Sequence, residues 1–421
     1  MKLFILAISF LLISGCAVTG NEFLEPESAK TWTAAQHKNI RLLGAENLKN
    51  WWMHFKDPAL NKLINRMLEN SPERHIAEAR IAEARGIRRS TRSSLFPQIG
   101  ASAQESREDF GFTGPDNFSD ARSFEVDVFG RNRKNLRAAD AKILALESEF
   151  HNTTLSLIAE ISRSYIDYRG FAKQTLIAQK NLNSQQKTLE LIRSQKAHGE
   201  ATQLDVERAE NLVNTTTSSI PEFQRFSDNA RLGLSILTGD LPENLSSMFS
   251  ASEDIPGANI KPILLAPSQV LSLRPDIQAA SANLSASTSL VNASIAELWP
   301  TFTLSGFFGT SEGAFSPAST VWNLSLGTAV NIIDFGRIEG RIDGAKAREK
   351  IAYEQYRLTI IKAVTEIETA LSDYAYIDEQ RLSLKKAYNN ADNALVLSQD
   401  LYHEGEISFL DVLDAQRTVN A

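Results

Sequence analysis

The side chains able to do chemistry are few. Among 421 residues there is one cysteine and there are six histidines. Cys16 follows Ile13-Ser14-Gly15 at the end of an apolar run from Leu3 to Ile13, with Lys2 ahead of it. A positive residue followed by about 11 apolar residues has the form of an export signal, and the run falls far short of the ~20 residues that span a bilayer. A lone thiol cannot form an intramolecular disulfide. In this setting its expected chemistry is acylation, because the small residues before Cys16 match a lipobox whose cysteine receives lipid and becomes the new amino terminus. Ala17 rather than Asp comes next, which in bacterial lipoproteins favours the outer membrane. No cofactor is expected apart from the covalent lipid on Cys16.

Catalytic chemistry is not legible. His37, His54, His75, His151, His198 and His403 are scattered, and there is no phosphate-binding loop, nucleophile elbow, His-Glu-x-x-His or cysteine pair. His198 and His403 lie beside Gly199 and Gly405 and read as polar residues in a helix's last turn. No catalytic or metal site is expected, and the chain is not read as an enzyme. A net charge of −7 leaves no basic footprint for nucleic acid, while 43% hydrophobic and 23% charged residues describe a globular chain.

The elements that must carry any other activity come in two copies. Phe129-Gly130-Arg131 returns 206 residues later as Phe335-Gly336-Arg337, as do Gly199-Glu200 (Gly405-Glu406) and Leu204-Asp205-Val206 (Leu410-Asp411-Val412). Upstream, Pro97 answers Pro300 and Ser71-Pro72-Glu73 answers Arg274-Pro275-Asp276, at a shift of 203. A repeat this long is a duplicated half-domain rather than a solenoid unit. Each half reads helix, strand pair, very long helix, glycine break, helix.

Period-two alternation marks the strands. Phe124, Val126 and Val128 alternate with Ser123, Glu125 and Asp127, after a weaker strand from Gln98 to Glu108. Phe302, Leu304, Gly306 and Phe308 alternate with Thr301, Thr303 and Ser305. Trp322, Leu324, Leu326, Thr328, Val330 and Ile332 alternate with Asn323, Ser325, Gly327, Ala329 and Asn331. Turn-rich segments at 109–120 and 311–319 separate the partners. Apart from the signal, no window of ~18 apolar residues exists, so a membrane crossing would use strands. Four strands cannot enclose a lumen, since barrels begin at about 8, so other copies would have to complete the sheet.

The helices are far longer than the ~11 residues usual in globular proteins. One is expected from about Asn132 to Ala197 and its counterpart from about Ile338 to Glu404. Apolar positions recur by sevens at Leu136, Ile143, Phe150 and Leu157, and at Ala363, Ala370, Ile377, Leu384 and Ala391, which predicts coiled-coil packing. Gly199 and Gly405 sit where a helix C′ residue belongs. Thr202 and Ser408 follow, with Asp205 and Asp411 three residues on, a capping-box pattern. Each half therefore ends in a hairpin tip of two helices.

In their order and duplication these marks resemble the TolC-like outer-membrane factors, in their lipoprotein branch. The residues carrying the resemblance, beyond Cys16, are Trp51-Trp52-x-x-Phe55-x-Asp57-Pro58-x-Leu60, the helix starts Ser71-Pro72 and Arg274-Pro275, and Leu95-Phe96-Pro97 with Leu298-Trp299-Pro300. The paired Phe-Gly-Arg exits and Leu410-Asp411-Val412-Leu413-Asp414-Ala415-Gln416-Arg417 complete the set.

The resemblance implies an α+β membrane protein with internal structural duplication. In it a homotrimer closes one 12-stranded outer-membrane β-barrel, four strands per protomer, continued by a long α-helical coiled-coil barrel through the periplasm. It implies a passive exit duct for drugs or solutes, docked to a periplasmic adaptor (membrane fusion) protein and an inner-membrane RND-type pump, with outer-membrane lipid around it and no nucleic acid. Glu125 and Asp127 are expected on the lumen face of the strands. The residues matching the family's acidic periplasmic gate are Asp411 and Asp414, with Leu410 and Arg417 on the same helix; helix capping alone would also explain an acid at 411. The tip residues Gly199, Thr202, Gly405 and Ser408 are expected to make the turn that meets the adaptor. A type I protein-secretion duct and a pore-less, lipid-anchored coiled-coil scaffold stay open as alternatives.

The expected organisation is a signal peptide at 1–15, a lipid-anchored strap at 16–57, a first repeat at 58–240 with its hairpin at 98–129, a linker at 241–266, and a second repeat at 267–421 with its hairpin at 301–335. Ala421 comes ten residues after Asp411, and nothing in the second repeat answers 213–239. The second repeat is thus expected to be incomplete, with part of one helical wall missing from each protomer.

Overall fold

A computed structural model of the chain describes residues 32, 50–100, 122–245, 254–257, 271–313 and 316–420. Apart from 3-10 turns at Trp51–Phe55 and Ala296–Leu298, the elements among them are α1 (Pro58–Asn70), α2 (Pro72–Ser93), β1 (Arg122–Val126), α3 (Arg131–Ala197), α4 (Gln203–Thr238), the single turn α5 (Pro242–Leu245), α6 (Pro275–Ile295), β2 (Thr301–Gly313), β3 (Ser316–Ala329), α7 (Arg337–His403) and α8 (Phe409–Asn420). They fall in two compact units. One gathers the described residues of Ile76–Asn152 and Leu271–Ala363, and the other those of Ala29–His75, Thr153–Val270 and Val364–Ala421.

The long helices α3 and α7 each run 67 residues, about 100 Å at 1.5 Å per residue. Both begin by the same device. Gly130 (φ 78°) and Gly336 (φ 84°) swing the chain out of the preceding extended segment. A carboxylate just upstream then satisfies the first free amides: Asp127 accepts from the N–H of Asn132 and Arg133 at 3.0 and 2.9 Å. In the second half Asp334 accepts from Gly336 and Ile338 at 3.1 and 3.0 Å.

In the second unit, α1 buries Leu60, Leu63, Ile64 and Met67 completely. This is the i, i+3, i+4, i+7 stripe of a helix with one apolar face. They pack on Leu157, Ile158, Ile161 and Tyr165 of α3 and on Leu234 and Leu237 of α4, each contributing about 1.5–3 kcal/mol of burial free energy. Asp57 fixes how α1 enters this core. Its Oδ1 accepts from the amides of Ala59 (2.8 Å) and Leu60 (3.1 Å), with Pro58 as the first helical residue. Its Oδ2 accepts from the Tyr165 hydroxyl at 2.9 Å, and Arg169 Nε donates to that same hydroxyl at 2.9 Å. Arg169 and Asp57 are only 3% and 10% exposed, with Arg169 Nη2 at 3.8 Å from the carboxylate. Burial first, then the hydrogen bond to Asp57, push the Tyr165 phenol up to about 12. At the other end of the core, Arg66 grips Asp240 through two 2.8 Å bonds, and these hold the Asp240 carboxyl below the usual carboxylate range. Trp32, in the expected strap, is 4% exposed and packs with Leu371 of α7.

The first unit holds an antiparallel sheet in the order β1-β2-β3. β1 pairs with β2 of the other repeat, Phe124 opposite Leu304 and Val126 opposite Phe302. Several expectations need correction here. β1 stops at Val126, so Asp127 is not a strand residue; its carboxylate is committed to the start of α3. β3 stops at Ala329, leaving Val330 and Ile332 beyond the strand. The turn expected at 311–319 is shorter, since pairing continues through Ser311 opposite Ser319 to Gly313 opposite Ser316. Pro317 is tolerated there because it stands at the strand's beginning. Residues 98–100 are not in a strand, while 101–108 and the turn at 109–120 lie outside the described residues. So do 1–15 and Cys16. The linker carries the turn α5, with Leu245 buried. Finally, the second heptad seam is buried at Ala363 but open at Ile377 and Leu384, both 60% exposed, because no described element of the same chain covers that stretch of α7.

Gly239 ends α4 at φ 72°, and a Cβ there would stand 2.5 Å from the Asn70 carbonyl oxygen and 2.7 Å from Pro72 Cδ. Gly239→Ala is therefore expected to cost about 2–4 kcal/mol, against about 1 kcal/mol for Gly199→Ala, where the left-handed backbone is the only penalty. Thermal unfolding followed by far-UV circular dichroism would rank the two. Asp57→Ala removes the cap and strands the Tyr165–Arg169 pair, for an expected loss of about 3 kcal/mol. Because the Tyr165 phenol is raised above its unfolded value of ~10, its share of stability is intact below about pH 10 and fades as pH climbs towards 12. Unfolding midpoints of wild type and Tyr165→Phe, compared across that window, measure it.

Candidate functional site

Two regions carry the features a conduit needs, and each is described by itself. In the sheet, cross-strand partners share a face. One face carries Phe124, Phe302, Leu304, Phe308, Trp322, Leu324 and Leu326, through the pairs Leu304–Leu326 and Phe308–Trp322. It is bare: Phe308, Trp322, Leu324 and Leu326 are 77%, 71%, 69% and 70% exposed. The opposite face carries Ser123, Glu125, Thr303, Ser305 and Ser325, with the Ser305 and Ser325 hydroxyls 2.7 Å apart. Glu125 is thus on the polar face, ion-paired with Arg131 at the start of α3.

Aromatic rings mark two levels of this sheet. Phe129 stacks on Trp299 at 5.2 Å, where strands give way to helices, with Phe96 (54%) and Phe335 (98%) exposed at the corresponding boundaries. Phe308 and Trp322 form the other level. About nine residues separate Trp299 from Phe308, roughly 30 Å along a strand. At a tilt of ~40° this is roughly 23 Å of depth, close to the ~25 Å apolar band of outer-membrane barrels, with aromatics at both edges.

The second region is the tip of the helices. Both hairpins end α3 and α7 in the same Schellman turn. The Glu200 amide donates to Gln195 O at 2.9 Å, and the Glu406 amide to Leu401 O at 2.9 Å, with Gly199 and Gly405 left-handed at φ 81° and 78°. Thr202 caps α4 in a full capping box with Asp205. Asp411 is held likewise: its carboxylate accepts from the Ser408 amide (3.0 Å) and hydroxyl (2.8 Å).

α8 turns Phe409, Val412 and Leu413 into a core with Leu189 and Ile192 of α3 and Val206, Ala209 and Leu212 of α4. Gln416, on the same stripe, reaches Thr188 at 3.3 Å, and Tyr402 bonds Gln195 at 2.7 Å. Leu410, Asp414 and Arg417 therefore fall on the exposed side of α8; Leu410 is 40% exposed, and Asp414 and Arg417 are 65% and 50% exposed at the side chain. Asp414 and Arg417 face each other one turn apart at 3.9 Å. At the 206-residue shift, the capping acid recurs as Asp205 and Asp411, whereas Asp414 stands opposite Arg208 and Arg417 opposite Asn211. The cap belongs to both tips, and the Asp414–Arg417 pair to the second alone.

Sequence reasoning missed the inward stripe of α8, although its i, i+3, i+4, i+7 spacing was present, and it missed the Asp57–Tyr165–Arg169 and Arg66–Asp240 links. Nothing in local spacing announces contacts across more than 100 residues.

Comparison with known proteins places this geometry. The family model described as outer membrane efflux protein matches residues 63–240 and 266–421. The pyoverdine export outer membrane protein OpmQ of Pseudomonas aeruginosa is 29% identical over 437 residues, covering 97% of this chain and 90% of the relative. The toluene efflux pump outer membrane protein TtgF of Pseudomonas putida is 29% identical over 403 residues, covering 92% and 83%. Among solved structures, the outer-membrane channel OprN superposes with a TM-score of 0.87 at 29% identity, covering 96% of this chain and 93% of that one. The two aromatic levels, the paired helical tips and a match spanning both repeats agree: the chain belongs to the outer membrane efflux protein family, as an efflux channel component of the outer membrane that extends into the periplasm.

Proposed function

We propose that three copies of this chain close one 12-stranded β-barrel, four strands from each, and that their long helices continue it as a conduit through the periplasm. The observation that carries this reading is the sheet. Three described strands present a bare apolar face with aromatics at both edges, and the reading takes its fourth strand from 101–108, outside the described residues. So few strands cannot satisfy their own backbone groups in a bilayer. The open seam of α7 at Ile377 and Leu384 supports the same partner, a neighbouring copy.

The duct is passive. Export is powered by an inner-membrane pump of the RND type, reached through a periplasmic adaptor that meets the tips around Gly199, Thr202, Gly405 and Ser408. Relatives named for pyoverdine export and toluene efflux support small organic cargo. Cys16 carries the lipid anchor, and Glu125 faces the lumen.

Asp414 is the gate residue of this reading, and Asp411 is a cap. Three Asp414 carboxylates drawn to one axis favour cations and resist closure by like-charge repulsion, while Arg417 moderates them. Asp414→Ala is expected to change single-channel conductance and cation preference in planar bilayers with helix content intact. Asp411→Ala is expected to lower local stability by about 1 kcal/mol at the start of α8, read by hydrogen exchange. A correctly assembled Asp414→Ala pore indistinguishable from wild type removes Asp414 from the gate. Intact-mass measurement of the mature chain, with an unmodified amino terminus as the contrary result, tests the lipid on Cys16.

A further inference from the structure

One cluster is unexplained by conduit or tip. Over two turns near its carboxyl end, α2 carries Arg85, Arg88, Arg89 and Arg92. With Asp140, Ile143 and Leu144 of α3 they line a cleft of about 540 Å³. Resting on the reading that the strand–helix boundary marks the periplasmic face of the bilayer, we propose that Arg89 and Arg92, over Ile143 and Leu144, seat the phosphodiester headgroup of an anionic membrane phospholipid.

Position and pairing carry the argument together. Arg88 is ion-paired with Asp140, and Arg85 with Glu147 at 2.8 Å, so α2 and α3 run antiparallel here. Asp140 lies about nine residues into α3, which puts the Arg88 level roughly 14 Å below the strand–helix boundary, Arg85 deeper, Arg89 at roughly 12 Å and Arg92 at roughly 8 Å. The headgroup layer adds roughly 5–8 Å on each side of the ~30 Å hydrocarbon core. Arg92 is rooted at the lower edge of that layer and Arg89 nearly one turn beneath it, where a long side chain can still extend its charged head towards the headgroups. The arginines rooted farther from the bilayer are the ones neutralised by carboxylates. The nearer two are exposed and make no ion pair among the described residues.

Arg92 lies over the Phe96 ring at 5.9 Å, and Phe96 and Ile99 beyond it are 54% and 95% exposed, as at a membrane interface. Leu144, 59% exposed, offers the cleft an apolar floor for the glycerol and upper acyl carbons. A planar guanidinium matches two phosphate oxygens at once. The fold does not demand these arginines. At the 203-residue shift that relates the repeats they become Thr288, Val291, Asn292 and Ile295, and α6 holds no lysine or arginine at all.

The test is native mass spectrometry of the purified full-length protein, titrated with phosphatidylglycerol, phosphatidylethanolamine or inorganic phosphate. Wild type is expected to retain phosphatidylglycerol about tenfold more strongly than phosphatidylethanolamine, the effect of one charge-assisted contact. Arg89→Gln/Arg92→Gln should erase that preference, Arg357→Gln, at an exposed arginine of α7 paired with Glu354, should keep it, and both should conduct normally in planar bilayers. Equal retention of the two lipids, or a preference that survives the double substitution, overturns the proposal. Inorganic phosphate binding as well as phosphatidylglycerol would reassign the seat to a free anion. A double variant that loses its oligomer while keeping its lipids would mean a neighbouring copy covers the cleft. Failure of wild type to conduct would instead count against the channel reading, so the two failures stay distinguishable.

Discussion

Backbone polarity in a bilayer is the constraint from which the rest follows. Each unpaired N–H or C=O in hydrocarbon costs several kcal/mol, so strands cross only inside a closed ring. This chain offers an apolar sheet face bare at Phe308, Trp322, Leu324 and Leu326, and a polar face lined by Glu125, Thr303, Ser305 and Ser325. No helix among the described residues is long and apolar enough to cross a membrane. The apolar face and the strand edges therefore both call for the same neighbour, and in the proposed assembly further copies of the chain are that neighbour, bringing a sheet of matching register and chemistry. The long helices follow directly on this sheet, α3 starting five residues after Val126 and α7 eight residues after Ala329.

The junctions show how one polypeptide passes from strand to helix without leaving polar groups stranded. A left-handed glycine turns the chain and a nearby aspartate takes up the free amides, Asp127 with Gly130 in the first half and Asp334 with Gly336 in the second. The aspartates occupy positions that differ by one residue relative to the Phe-Gly-Arg mark. The requirement preserved through duplication is a carboxylate within reach of the first turn, not an identical sequence. In the other unit Asp57 does comparable work at higher cost of burial, since it also faces Arg169 and Tyr165 in a nearly dry setting where removing one partner leaves the others uncompensated.

Much of the architecture was legible because it is periodic or punctuated. The two 67-residue helices lie within a residue of their expected bounds, since Gly130, Gly199, Gly336 and Gly405 delimit them and neither loses its pattern between. Both tip caps followed from Ser/Thr-x-x-Asp. Alternation located β2 and β3 but fell short at their shared turn, where pairing runs on to Gly313 and Ser316, and overran the far end of β3, because a period-two pattern continues through Val330 and Ile332 after pairing has stopped at Ala329. Asp127 was misplaced for the same reason: alternation assigns it a strand face, whereas the unfilled amides of α3 claim its carboxylate. The Arg66–Asp240 link stayed invisible, since 174 residues separate its partners and neither has a local signature.

The duplication supplies its own control for separating structure from function. Where both tips keep a residue, the shared hairpin explains it, as with the turn glycines and the capping acids Asp205 and Asp411. Where the second tip alone changes sign, from Arg208 to Asp414, and gains Arg417 in place of Asn211, no shared folding requirement accounts for the change. The same comparison applied to α2 and α6 isolates Arg85, Arg88, Arg89 and Arg92, which have only neutral counterparts. Both departures concern exposed or half-exposed charge rather than packing, so they cost the fold little and alter what each surface attracts. A duplicated scaffold can diverge cheaply in its surface charge, and there the two halves of this chain have come to differ.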